Sequence, residues 1–226
     1  LAVFFAFLAV PLAGRFLETG RLRWAAGYVA TSVLGLLSHL TFLHAMLGLV
    51  TWTAYRAVRR PHPRSTVSRL VLLHAAPLAA LAALYWIDLR HVILGGGPVH
   101  PAGDMIASVA SLVVGGPEQG GLRGAAALAS GIASIAAIVA VRRTGSDLWI
   151  LFAVAGIAAP VLTLALTPGP LLFERYFVVS SAFVMLSYGW LLAAVARRSL
   201  WIAAVLTMAY LLPNGARIQR LIESGR

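Results

Sequence analysis

Apolar residues fall in seven runs along the chain, at 1–13, 24–55, 70–87, 122–141, 148–167, 176–196 and 199–212. A helix that crosses a hydrocarbon core of about 30 Å uses about 20 apolar residues, and most of these runs are close to that length. The second run is not. Its 32 residues would make a helix of about 48 Å, more than tilt comfortably absorbs. Breaking it near Ser38 and His39 gives two short helices, with Ser38, His39 and Thr41 at a turn where freed backbone groups can meet water. The pattern therefore predicts an all-α polytopic transmembrane helical bundle of about eight spans, forming one domain over 1–226.

Charge tests the break independently. Without it, the Arg15/Arg21/Arg23 connector and the five-arginine connector (Arg56, Arg59, Arg60, Arg64, Arg69) would lie on opposite faces, against the tendency of short cytoplasmic loops to carry the basic residues. With it, both join Arg142-Arg143 and Arg197-Arg198 on one side, which is expected to be cytoplasmic. The other side then carries Arg90, Arg123 and Arg175, with Asp88, Asp104, Glu118 and Glu174. Arg217, Arg220 and Arg226 follow if 199–212 crosses fully. The sequence opens on Leu1 inside an apolar run with no charged leader, so the expectation is the C-terminal portion of a longer protein.

The longest connector, 88–121, is expected outside the cytoplasm. Within it Asp104 starts a helix, and Met105, Ile106, Val109, Leu112 and Val113 recur at helical spacing, with Ser108 and Ser111 off that face. Gly115-Gly116-Pro117 stops it. About eleven residues reach about 16 Å, so the expectation is a short interfacial helix near 104–114. On 122–141, Ala127 with Gly131 and Ser130 with Ser134 make a small-residue packing face. Pro77 and Pro160 are expected to kink their spans, and His74 lies one turn before the first of them.

Composition narrows the chemistry. The chain is 226 residues long, 60% hydrophobic and 11% charged, with a mean hydropathy of +0.88; soluble domains average about 25% charged. All 18 basic residues are arginine, and neither lysine nor cysteine occurs. That excludes a lysine Schiff base, a cysteine nucleophile, a thiolate metal site and a disulfide. The net charge of +11 would suggest nucleic acid in a soluble protein. Here the arginines sit between apolar runs and orient the chain, so the partners expected are membrane lipids, not nucleic acid. The 56–69 connector is expected to contact anionic headgroups, at about 1 kcal/mol per arginine.

Few residues point to a reaction. Glu174, Arg175 and Tyr176 follow Pro168-Gly169-Pro170 at the start of a late span. Arginine suits bidentate phosphate contact, tyrosine can donate a hydrogen bond, and Glu174 could orient Arg175 or a sugar hydroxyl. The same three also read as an interfacial tyrosine and a snorkelling arginine. His39 and His44, five apart, lack the i, i+4 spacing of a helical metal site. His91 and His100 with Asp88 and Asp104 could assemble an outer metal or acid/base site, although nothing fixes their spacing. His62 reads as a solvated connector residue. The Gly95–97 stretch lacks the Gly-Lys-Ser/Thr of a phosphate loop. Paired intramembrane acids, expected of an ion-coupled transporter, are also missing.

Two stretches together resemble the GT-C superfamily of polytopic glycosyltransferases, in particular its bacterial family 39-like, protein mannosyltransferase-like members. One is Arg21-Leu-Arg-Trp-Ala-Ala-Gly-Tyr with Gly35-Leu-Leu-Ser-His-Leu-Thr. The other is Leu172-Phe-Glu-Arg-Tyr-Phe-Val-Val-Ser, similar to the family's Arg-Tyr start of a late span. The resemblance implies a cell-envelope transferase of the bacterial inner membrane. Such an enzyme moves a hexosyl or pentosyl group from a polyprenyl-phosphate-linked donor to a lipid, glycan or protein acceptor on the outer side. It implies substrate contacts at Arg175 and Tyr176, and more loosely at Glu174 and His39. The family's catalytic acid lies in its first outer loop, which nothing here matches, so no catalytic residue is carried over. A divalent metal, if used, would be bound mainly outside this stretch. The alternative class is a non-catalytic membrane scaffold or permease-like subunit.

Overall fold

The computed structural model describes residues 1–59, 63–91, 101–166 and 173–223, with the side chains of 63–65, 217, 220 and 221 left aside. Arg60, His62, the 95–98 stretch, His100, the 168–170 stretch and Arg226 lie outside the described residues, as do the side chains of Arg64, Arg217 and Arg220. The described chain is helical throughout: α1 (Ala2–Thr19), α2 (Leu22–Ser38), α3 (Phe42–Val58), α4 (Pro63–Ile87), α5 (Ala102–Val113), α6 (Leu122–Arg143), α7 (Leu148–Ala153), α8 (Ala159–Leu166), α9 (Val178–Ala196) and α10 (Leu200–Glu223).

The long second run does divide where its polar residues fall. α2 ends at Ser38, α3 begins at Phe42, and Nδ1 of His39 accepts from the Thr41 backbone N–H at 3.2 Å. Phe42 folds back over Gly35, where a Cβ would lie 2.4 Å from its ring. Only glycine leaves room for that close approach.

Five stretches among the described residues are long and apolar enough to cross a membrane: Ala2–Thr19, Thr66–His91, Leu122–Arg143, Leu148–Leu166 and Glu174–Ala196. The expected count of about eight is not reached by this measure. α2 and α3 have 17 residues each, about 26 Å of helix, because the turn at His39 splits one run between them. The apolar part of α10, Leu200–Ala216, also falls short.

The basic connectors meet at one end of the bundle. Arg56 Nε lies 2.6 Å from Asp147 Oδ2, and Trp52 Nε1 donates to Asp147 Oδ1 at 2.9 Å. These contacts bind the end of α3 to the α6–α7 connector. Arg69 donates to the Leu17 carbonyl at 3.0 Å, drawing in α1 and α4. Arg143 and Thr144 share a cavity wall with Arg197 and Arg198, which places the α9–α10 connector at this end too. α10 then climbs to the opposite end, where Tyr210 and Asn214 abut Gly115.

Between the ends lies a core of Phe16, Tyr28, Phe42, Leu49, Leu73, Leu151 and Phe183, all almost fully buried. Small residues bring the backbones together, as helix packing in lipid favours. A Cβ on Gly48 of α3 would lie 2.8 Å from the Ala155 Cβ. Ala155 belongs to a π-helical turn, Val154–Ala158, that joins α7 to α8. Pro160 follows this turn; it has no N–H to give the carbonyl four residues back and its ring crowds that carbonyl. The looser turn relieves the conflict, and it leaves Gly156 facing Val184 of α9. The Ser130/Ser134 face of α6 clasps α9 through hydroxyl contacts of 3.0 Å to Tyr188.

α5 occupies the expected stretch and buries Met105 and Val113 of its apolar face, but the inner face also takes in the two serines and leaves out Ile106. Ser108 and Ser111 are 7% and 0% exposed, whereas Ile106 is 46% exposed. Asp104 pairs with Arg123 at the start of α6, while Val113, at the far end of α5, lines the same groove as Ser134. α5 therefore packs lengthwise along α6. The chain returns through 114–121, turning at Gly115 (φ 78°), and the Ser111 hydroxyl donates to the Pro117 carbonyl at 2.7 Å.

Candidate functional site

The end opposite the basic connectors gathers most of the remaining acids. Phe173 is extended, and a 3-10 turn, Glu174–Phe177, leads directly into α9. Glu174 accepts from the Ser108 hydroxyl at 2.6 Å, which ties this turn to α5. A cavity of about 280 Å³ lies against this contact, lined by Asp104, Ser108, Glu118, Gln119, Arg123 and Glu174.

Arg175 is exposed and held by rings. Its guanidinium lies 4.9 Å from the centroid of Phe173 and 5.6 Å from that of Tyr176. The ring faces attract the cation, and its planar fork can still donate paired hydrogen bonds. Tyr176 packs with Met105, Val109, Leu164 and Phe177 in a small apolar cluster of its own. One residue on, Phe177 is buried and lines an apolar groove of about 310 Å³ between α5, α6, α8 and α9. Val113, Gly156, Pro160 and Leu164 line it as well, so the π-helical turn shapes one wall. Ile135 and Val161, also in the lining, are 63% and 58% exposed, which opens the groove sideways.

His44 lies against two residues of the groove lining, Ser180 and Phe177. Its Nε2 is 2.7 Å from the Thr163 hydroxyl and its Nδ1 2.8 Å from the Ser180 hydroxyl, and its ring is 6.3 Å from that of Phe177. One histidine thus joins α3, α8 and α9. Its partners lie 119 and 136 residues away, so no local spacing announces them. Nor does anything around Asp104 announce its pairing with Arg123, 19 residues on.

The four residues singled out in the sequence are therefore only partly assembled. Glu174, Arg175 and Tyr176 share the turn that leads into Phe177, which lines the groove. His39 is engaged at the α2–α3 turn with Thr41, whose hydroxyl lies 3.0 Å from Nδ1. Among the described residues, no three His, Asp or Glu side chains are grouped so as to hold a metal ion. Chemically, the arrangement suits an amphiphile: an apolar chain in the groove, and an anionic head against the stacked arginine. No protein-family model matches the chain, and neither does any curated protein or solved structure.

Proposed function

We propose that this chain is the donor-binding portion of a GT-C-type glycosyltransferase of a bacterial inner membrane, taking a polyprenyl-phosphate-linked sugar on the outer side. The observation that supports the reading is the exposed guanidinium of Arg175, set against the rings of Phe173 and Tyr176 two residues before Phe177, which lines an apolar groove. The isoprenoid chain occupies the groove, the phosphate meets Arg175, and the sugar lies toward Glu174 and Ser108. During transfer the bond from the sugar C1 to the phosphate oxygen breaks, and a bond from C1 to the acceptor oxygen forms. A base takes the acceptor proton. Arg175 neutralises the departing phosphate, a role whose worth grows where water is excluded. No base is assigned in this chain, because the resemblance puts the family's catalytic acid in a first outer loop that nothing here matches. The described residues offer no seat for a divalent metal, and no step is routed through one.

Two variants test the reading in membranes containing the full protein. Arg175→Ala is expected to lower sugar transfer by about 10²–10³-fold, the usual loss when one preorganised charge donor is removed, with protein levels unchanged. Gly131→Trp fills the groove from α6, where a Cβ meets nothing within 4 Å, and is expected to weaken polyprenyl-phosphate binding by at least tenfold. Full transfer by Arg175→Ala would remove the arginine from the mechanism, and no transfer by the unaltered protein would favour the scaffold reading.

A further inference from the structure

At the basic end, a cavity of about 610 Å³ is lined by Tyr55, Arg56, Arg59, Arg142, Gly145, Ser146, Asp147 and Trp149. Its three arginines and one aspartate leave a net lining charge of +2 (three minus one). Arg56 is already bound to Asp147, and its guanidinium also lies 3.7 Å from Glu18. Arg59 and Arg142 have no carboxylate partner among the described residues. Each lies instead against a ring, Arg59 4.6 Å from the Tyr55 centroid and Arg142 5.3 Å from that of Trp149. The two rings pack edge to face at 6.2 Å. Two guanidiniums from connectors about 80 residues apart in sequence are thus seated on one aromatic pair and share one cavity.

Neither cation has an acid of its own among the described residues, and each lies against a ring that takes none of its N–H groups in a charge pair. The planar guanidinium is the side chain that grips a phosphoryl group through paired hydrogen bonds. The Ser146 hydroxyl accepts from the Leu148 N–H and keeps its own proton to donate. We infer that this cavity binds a phosphate-bearing anion, clamped between Arg59 and Arg142 over Tyr55 and Trp149. The phosphate can come from an acidic phospholipid headgroup at that end or from a soluble phosphate, and both use the same clamp. This site is separate from the groove near Arg175 and does not depend on the glycosyltransferase reading.

The test uses the purified full chain in detergent, with dioleoyl phosphatidic acid as one probe and inorganic phosphate as the other, read by native mass spectrometry and competition. Binding of the lipid that inorganic phosphate does not displace identifies a headgroup as the source; displacement at comparable concentrations identifies a soluble anion. The Arg59→Ala/Arg142→Ala pair is expected to bind whichever probe is retained about 25-fold more weakly, roughly fivefold for each arginine. Arg197→Ala/Arg198→Ala removes the same charge at the same end and is expected to change binding less than threefold. Equal losses in the two pairs would reduce the effect to diffuse charge and overturn the site. Should the alanine pair not fold, Arg59→Lys/Arg142→Lys answers the question. It keeps the charge and loses the planar fork, so binding is expected to fall about fivefold, and unchanged binding overturns the clamp.

Discussion

His74 is held at both ring nitrogens, by the Tyr28 hydroxyl at 3.1 Å and the Thr53 hydroxyl at 2.8 Å, within the buried heart of α2, α3 and α4. Thr53 keeps a second bond, to the Leu49 carbonyl at 2.8 Å, and the Tyr28 hydroxyl has Ser32 beside it on α2. His74→Leu therefore strands the buried phenol from its imidazole, leaving it only Ser32, and is expected to destabilise the protein by about 1–2 kcal/mol. Tyr28→Phe in the same chain removes the stranded group, so the double variant should lose less than the sum of the singles. Thermal unfolding of the four proteins in detergent checks this. What could be read beforehand at this scale was local. His74 lies one turn before Pro77, and Arg175 sits beside two aromatic residues. The bonds of His44 and His74 join distant helices, and side-chain type alone does not choose their partners.

Elements were legible where the chain breaks a rule of length. A run too long for one span, holding Ser38, His39 and Thr41, had to turn, and it turns there. Pro160 also left its mark, as the π-helical turn. The face of α5 was not legible, and the reason is physical. A helix packed among others in lipid loses nothing by showing Ile106 outward, while Ser108 and Ser111 gain by finding acceptors inside. The water-based pattern of apolar inside and polar outside then holds for Met105 and Val113 but fails for Ile106 and the two serines. Close packing of α3 on the π-helical turn makes Gly48 the sensitive point of that contact. Gly48→Val should overpack it and cost about 1–3 kcal/mol. Gly189→Val, at a position with nothing within 4 Å of its Cβ, is expected to cost less than half as much by the same melting assay.

The distribution of arginines gave the arrangement of the whole molecule more reliably than any single run did, because connectors on the same end must agree. Arg56, Arg69, Arg143 and Arg197 do meet at one end, while Asp104, Arg123 and Glu174 meet at the other. The number of spans was less legible, since length and apolarity must coincide and α2, α3 and α10 fall short of one or the other. The native chain has no cysteine, so single engineered ones report sidedness cleanly. Gln119→Cys is expected to react with an impermeant maleimide in intact cells, and Thr144→Cys only after permeabilisation. The reverse pattern would put Arg175 inside the cell and sink the outward-facing donor site.

The gap at Ile135 and Val161 also bears on kinetics. A guest that enters through a lateral opening arrives by drifting in two dimensions, so its encounter rate follows its mole fraction among neighbouring lipids. Its abundance per litre of suspension does not enter. Diluting such a guest with inert lipid would slow its uptake, whereas thinning the vesicles with buffer would leave the rate untouched.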